Sequence, residues 1–244
     1  MSQPPAPLID LQNVTYAPEG KAVLSGITLR ADERRIGVVG RNGSGKTTLA
    51  RIMAGLIAPD SGKVRIDGTD VAKDRKAALR RVGILFQNPD HQIIFPTVEE
   101  EIAFGLTQMG QPAEEAAEGV ARVLARFEKE HWARAAIHQL SQGQRQLVCL
   151  MSVLAMAPTL IILDEPFAGL DIPTTRQLER VLAGLDVTLV LITHAPEAVQ
   201  GYDRVLWIDE GKILRDGAAQ PVLAAFTQRM AQIGDGDDLS HLAG

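Results

Sequence analysis

The run Gly40-Arg41-Asn42-Gly43-Ser44-Gly45-Lys46-Thr47 constrains this chain more tightly than any other feature in it. It fits the pattern G-x-x-x-x-G-K-[ST]. Such a loop wraps a polyphosphate in successive backbone N–H groups, while the helix that follows points its positive end at the charge. In that setting Lys46 reaches the β- and γ-phosphates and Thr47 ligates Mg²⁺, with Asn42, Gly43, Ser44, Gly45 and Thr48 completing the cradle. Gly-rich turns containing a lysine also occur as plain surface loops, so the flanking sequence decides between the two. Arg35-Ile36-Gly37-Val38-Val39 reads as an apolar strand entering the loop, and Thr47 to Ala54 as a helix leaving it. Gly55 stands where a left-handed helix stop belongs. A strand, phosphate loop and helix in that order specify an α/β fold built on a parallel sheet.

A second run, Leu160 to Leu163, is apolar throughout, as a strand buried on both faces must be, and it delivers Asp164 and Glu165 at its C-terminal end. Ligands of open parallel sheets sit at that end. With a phosphate loop in the same chain, Asp164 is placed to hold Mg²⁺ through water, and Glu165 to orient and deprotonate an attacking water. Without the loop, the pair would read as a solvated acidic turn. In a third run, Leu140-Ser141-Gln142-Gly143-Gln144, the serine is placed to cap a helix from about Gln142 to Met156, leaving free N–H groups and a hydroxyl as an anion site.

That third run resembles the LSGGQ signature of the ATP-binding cassette family and departs from it only at Gln142. The resemblance implies a P-loop NTPase fold with a RecA-like core, an antiparallel β subdomain and an α-helical subdomain carrying the signature, and an ATPase using ATP and Mg²⁺. It implies that the signature, Ser141, Gln142, Gly143 and Gln144, acts in trans, Ser141 and Gly143 touching the γ-phosphate of ATP held by the partner's phosphate loop. Other positions match the family residue by residue. Gln87 resembles the glutamine that touches Mg²⁺ and the nucleophilic water, and His194 the switch histidine that holds the γ-phosphate. Asp171, in Ala168-Gly169-Leu170-Asp171, resembles the acidic member of a loop that crosses a dimer interface. Tyr16 falls where an aromatic residue stacks on adenine. A lone His or Tyr would otherwise read as structural.

The resemblance also sets the expected layout. The ATPase domain spans residues 8–230, with the helical subdomain inserted at about 88–157; residues 1–7 and the acidic 231–244 read as loose ends. Strands are expected at Leu8 to Tyr16, Val23 to Leu29 and Val64 to Ile66, helices between Gln111 and Arg134, and a hairpin at Val205 to Leu214. The mixed-sign runs Asp32 to Arg35 and Asp74 to Arg81 read as solvated faces.

The stretch Gln87-Asn88-Pro89-Asp90-His91-Gln92, followed by Thr97-Val98-Glu99-Glu100-Glu101, resembles the coupling region of energy-coupling-factor transporter ATPases. Thr97 and Glu100 read as a capping box, and three carboxylates in the first turn suit a helix N-terminus. The resemblance adds that Asp90, Glu99, Glu100 and Glu101 meet arginines of a membrane scaffold subunit. It implies an importer of a vitamin such as biotin, or of cobalt or nickel, with a separate substrate-capture membrane subunit. The second ATPase subunit is either another copy or a paralogue. The alternative is the ATPase of a conventional importer for another small solute, which shares the core motifs.

Composition fits these expectations. With 45% apolar residues the chain can bury a substantial core. A net charge of −5 argues against a nucleic-acid partner. The single Cys149 lies on an apolar stretch, has no second thiol for a metal site, and suits a reducing compartment. No signal peptide or spanning segment is evident: Leu147 to Leu163 is interrupted by Ser152, Pro158 and Thr159. Membrane attachment, at the cytoplasmic face of the inner (plasma) membrane, is therefore expected to run through a partner.

Overall fold

A computed structural model describes residues 7–236. In chain order the elements are β1 (Ile9–Tyr16), β2 (Leu24–Ala31), β3 (Arg35–Val39), α1 (Lys46–Met53), β4 (Ser61–Ile66), β5 (Thr69–Asp70), α2 (Arg75–Arg81) and β6 (Val82–Leu85). They continue with α3 (Val98–Gln108), α4 (Ala113–Arg126), α5 (Gln142–Ala155), β7 (Leu160–Asp164), α6 (Ile172–Ala183), β8 (Thr188–Thr193), β9 (Arg204–Asp209), β10 (Lys212–Gly217) and α7 (Ala219–Gly236).

The strands form two sheets. A four-stranded antiparallel sheet runs β2-β1-β4-β5, and a six-stranded sheet runs β10-β9-β3-β8-β7-β6, parallel except for the β9–β10 hairpin. Side chains alternate across the parallel strands, and both faces are buried. Leu160, Ile162, Val190 and Ile192 face α1 and the antiparallel sheet, in one core with Leu49, Ile52, Leu11 and Val64. Ile161, Leu163, Leu189 and Leu191 face the opposite way, against Leu150, Leu178, Leu182 and Phe226. This explains why the strands read as unbroken apolar runs.

Helices α3, α4 and α5 enclose a third core around Ile102, Leu106, Val120, Val148 and Met151. α5 serves two cores at once, since its Cys149, Leu150 and Val153 lie on the sheet side. Burial pushes the Cys149 thiol up to about 12.

Several expectations are corrected. β2 begins at Leu24 and extends to Ala31, and β4 already begins at Ser61. Residues 219–236 form α7, so the part of the supposed loose tail up to Gly236 is helical, anchored by Val222, Leu223 and Phe226. Pro7 is buried; residues 1–6 and 237–244 lie outside the described residues. The run Asp32 to Arg35 is only partly a solvated face: Asp32 and Arg34 are exposed, but Glu33 and Arg35 are half-buried. Asp32 accepts from Leu8 N at 2.7 Å, Glu33 pairs with Arg204, and Arg35 donates to Val187 O and Leu185 O, each at 2.7 Å. Its charges pin strand ends and the C-terminal end of α6. Asp74 caps α2 by accepting from Ala77 N.

Candidate functional site: a nucleotide cleft

The order β3-β8-β7-β6 brings four chain exits to one edge of the six-stranded sheet. β3 feeds the phosphate loop, β8 ends before His194, β7 ends before Glu165, and β6 ends before the segment holding Gln87. Residues far apart in sequence therefore meet in one cleft of about 420 Å³, lined by Val23, Asn42, Gly43, Gly45, Lys46, Thr47, Thr48, Gln87, Glu165 and His194.

The loop's conformation depends on its glycines. At Gly45 φ is +103°, and a Cβ there would lie 2.8 Å from both Leu24 Cδ2 and Val23 O. At Gly40 a Cβ would meet Ile208 O at 2.2 Å. α1 then starts at Lys46 without a side-chain cap, so its first N–H groups face the loop. It ends in a Schellman motif: Leu56 N donates to Arg51 O and Gly55 N to Ile52 O, with Gly55 at φ +69°.

Lys46 is buried, and its Nζ donates to Gly40 O at 2.8 Å and Arg41 O at 2.9 Å. Burial holds its ammonium below the ordinary lysine range, against the opposing pull of Glu165 and Asp164. Asp164 is also buried, and desolvation raises its carboxyl against a hydrogen bond from the Thr47 side chain. Asp164 Oδ1 and Ser44 Oγ are buried without hydrogen-bond partners. The oxygens of Thr47 and Asp164, one of them unsatisfied, suit a hard divalent cation such as Mg²⁺. Among the described residues there is no group of three or more His, Cys, Asp or Glu that could hold a metal. That is the usual case for Mg²⁺, which takes one or two carboxylates and completes its shell with phosphate and water.

Glu165 adopts φ +50°, a left-handed conformation that costs a non-glycine residue about 1 kcal/mol. Its N–H donates to Ile192 O at 2.9 Å, which fixes the bend at the strand end. The bend brings Oε1 to 2.9 Å from His194 Nδ1, joining the ends of β7 and β8.

Ser141 caps α5 in a complete capping box: its hydroxyl accepts from Gln144 N at 3.3 Å, and Gln144 Oε1 accepts from Ser141 N at 2.8 Å. Ser141, Gly143 and Gln144 open into a different cleft of about 320 Å³, which includes Lys129, Trp132 and Thr174 and shares no lining residue with the first. Gln142 instead turns toward the segment after β7, where Nε2 donates to Ala168 O at 3.3 Å. Asp171 caps α6 by accepting from Thr174 N at 2.9 Å, and the Thr174 hydrogen bonds hold its carboxyl low. Tyr16 does not line the phosphate cleft. It packs, partly buried, on the core at the end of β1, where its carbonyl accepts from Val23 N. Val23, which does line the cleft, was missed from the sequence because its contribution depends on strand pairing.

The acidic segment divides. Glu101 is buried, and its Oε2 accepts from Ile94 N at 2.8 Å and Phe95 N at 2.9 Å. This corrects its assignment to a partner-facing surface: the carboxylate latches the chain's own loop. The Thr97–Glu100 capping box is corrected too. Thr97 has no side-chain bond to the helix backbone; its hydroxyl donates to Glu100 Oε2 at 2.5 Å. Glu100 is exposed and Glu99 half-buried. Asp90 lies 3.0 Å from Arg145 Nε, a long-range pair that nothing in the local sequence announces. Among the described residues no helix is long and apolar enough to cross a membrane.

Comparison with known proteins gives the family and the fold. The family described as ABC transporter matches residues 25–168. The biotin transport ATP-binding protein BioM of Rhodobacter capsulatus is 50% identical over 222 residues, covering 91% of this chain and 95% of that protein. The solved structure of cbiO1 from Clostridium perfringens, described as part of the ABC transporter complex cbiONQ, has a TM-score of 0.78 and 28% identity, with 98% of each chain covered. A dimeric post-hydrolysis structure of the ATP-binding cassette MJ0796, bound to ADP and Pi, has a TM-score of 0.75 and 25% identity over 87% of this chain and 99% of that one. The chain belongs to the ABC transporter family, as one of its ATP-binding, ATP-hydrolysing proteins.

Proposed function

We propose that this ATPase is the energy-supplying subunit of an energy-coupling-factor importer for biotin or a transition metal ion, working as a head-to-tail pair. The pair consists of two copies of this chain, or of this chain and a paralogue. The observation that carries the pairing is the separation of the two clefts: Ser141 opens away from the phosphate loop of its own chain. Each ATP would lie between Lys46 of one subunit and Ser141 of the other. The dimeric, ADP- and Pi-bound MJ0796 cassette supports a pair of such subunits. The biotin-transport name of the Rhodobacter capsulatus relative and the transporter complex containing cbiO1 support the importer branch.

In this reading the loop N–H groups and Lys46 bind the phosphates. Tyr16, at the end of β1, would serve the adenine side, and Asp171 the subunit interface. Thr47, Asp164 and Gln87 would hold Mg²⁺, which when bound would neutralise charge developing on the phosphates. Glu165 takes a proton from the attacking water, held in place by its bend and by His194. Ser141 and the free N–H groups of α5 face the γ-phosphate of the partner's ATP. Hydrolysis separates the γ-phosphate from ADP, its release as Pi carries away the charge that bridges the subunits, and the pair reopens. Ile94, 67% exposed in the segment between Asp90 and the Glu99–Glu100 pair, offers with them an apolar and acidic surface for the cytoplasmic side of a membrane scaffold. Glu101 shapes that surface from within.

The test is to tag the Glu165→Gln variant in its native cells, solubilise membranes with ATP present, and identify what copurifies. A scaffold membrane protein with a small capture protein that binds biotin, cobalt or nickel supports the proposal. A conventional permease pair with a solute-binding protein would establish the other importer class, and purely soluble partners would overturn the transport reading.

A further inference from the structure

Position 142 carries a side chain where the LSGGQ pattern has glycine, and that side chain makes a specific bond. Gln142 Nε2 donates to Ala168 O at 3.3 Å. Gly169, at φ +74°, passes so close that a Cβ there would lie 2.9 Å from the same nitrogen. Ala168 belongs to the turn that leaves β7, and its own N–H donates to Glu165 O at 3.1 Å. One bond therefore connects the first turn of α5 to the turn that sets Glu165. A second contact lies beside it: a Cβ on Gly143 would meet Thr174 Cγ2 at 2.2 Å, and Thr174 N is held by Asp171. Immediately before Gln142, Ser141 is fixed by its capping box.

We infer that Gln142 is a positioning residue that fastens the serine offered to the partner's nucleotide to the carboxylate acting on the subunit's own. This rests on the shared-site reading above. In a head-to-tail pair one subunit gives Ser141 to one site and Glu165 to the other. The amide tether makes the two move as one piece, so that seating of the partner's ATP on α5 orders the turn behind Glu165. A glycine at 142 removes this hydrogen bond between α5 and the turn and leaves the neighbouring Gly143–Thr174 contact with α6.

Gln142→Met is a clean probe. It keeps the length and helix propensity of the side chain and adds no charge beside the partner's phosphates, so α5 keeps its start. It cannot donate to Ala168 O. In the purified full chain, amide hydrogen exchange in residues 166–171 should quicken. ATP turnover should fall about tenfold in kcat, equivalent to about 1.4 kcal/mol of barrier. Binding of a fluorescent ATP analogue and the thermal midpoint should stay at wild-type values. Gln142→Gly should show the same changes. Unchanged exchange in 166–171, wild-type kcat, or a kcat loss matched by an equal loss of nucleotide affinity would each overturn the inference. Ser141→Ala separates the two levels of argument. Wild-type turnover in that variant would sink the shared-site reading, whereas the exchange readout on Gln142 would still report whether the tether exists.

Discussion

Replacing Glu101 with alanine should cost the fold far more than removing a surface carboxylate. Its Oε2 accepts two backbone N–H bonds, from Ile94 at 2.8 Å and Phe95 at 2.9 Å, from a buried position on the same face of α3 as Val98 and Ile102. Hydrogen bonds to a charged group contribute about 1.5–3 kcal/mol each, and a buried donor left unmade keeps its desolvation cost. Because both bonds end on one oxygen and water can reach part of the loop, the sum is set near the lower end, about 3 kcal/mol. With a urea m-value of about 3 kcal/mol/M for a chain of this size, the midpoint should fall by about 1 M. Glu101→Gln keeps a carbonyl acceptor but loses the charge, and should cost roughly half as much. Urea unfolding followed by circular dichroism, with nucleotide absent, measures both. A Glu101→Ala cost below about 0.5 kcal/mol, in the range of ordinary surface substitutions, would refute the latch. So would a Gln variant as unstable as the Ala one.

Asp164 yields a pH test. Burial raises its carboxyl in the folded state, so ionising it works against folding; the neutral form's advantage is full below the unfolded carboxylate range and is lost as pH rises through the folded value. Asp164→Asn should therefore be more stable than wild type in urea at pH 7, with the gap closing as pH falls through the raised folded value and gone by the unfolded carboxylate value of about 4, while ATP turnover is lost; equal stability at pH 7 would contradict the burial argument. Lys46→Ala should lose nucleotide binding or turnover in equilibrium binding and phosphate-release assays, and wild-type affinity and rate would remove Lys46 from the site. Cys149, with its thiol near 12 and no exposed surface, should resist a disulfide reagent at pH 8 and react only as the chain unfolds. Labelling at the rate of a free thiol would show that α5 opens readily.

Motifs that carry their own local geometry were legible in the sequence. The phosphate loop, the strand delivering Asp164 and Glu165, the Ser141 cap and the β9–β10 hairpin each follow from turn chemistry, capping or an apolar run. What failed was whatever depends on which face a side chain takes or on distant pairing. Glu101 read as one of three equivalent carboxylates, although its place three residues after Val98 and next to Ile102 puts it on the buried stripe of α3, a signal that helical spacing contains. Gln142 read as a blemish in the signature because Ala168, 26 residues away, becomes its neighbour only through β7 and α5. The same holds for Asp90 and Arg145. α7 was masked by its small and acidic C-terminal residues, although Val222, Leu223 and Phe226 carry a helical apolar stripe.

The measurement that goes most directly to the shared site is the mass in solution of the Glu165→Gln variant, by light scattering with and without ATP and Mg²⁺. The account predicts a monomer that becomes a dimer with ATP, holding one nucleotide per chain, and that fails to form when Ser141 is also replaced by a bulky residue. A Glu165→Gln chain that binds ATP and stays monomeric, or that hydrolyses ATP at the wild-type rate, would contradict it.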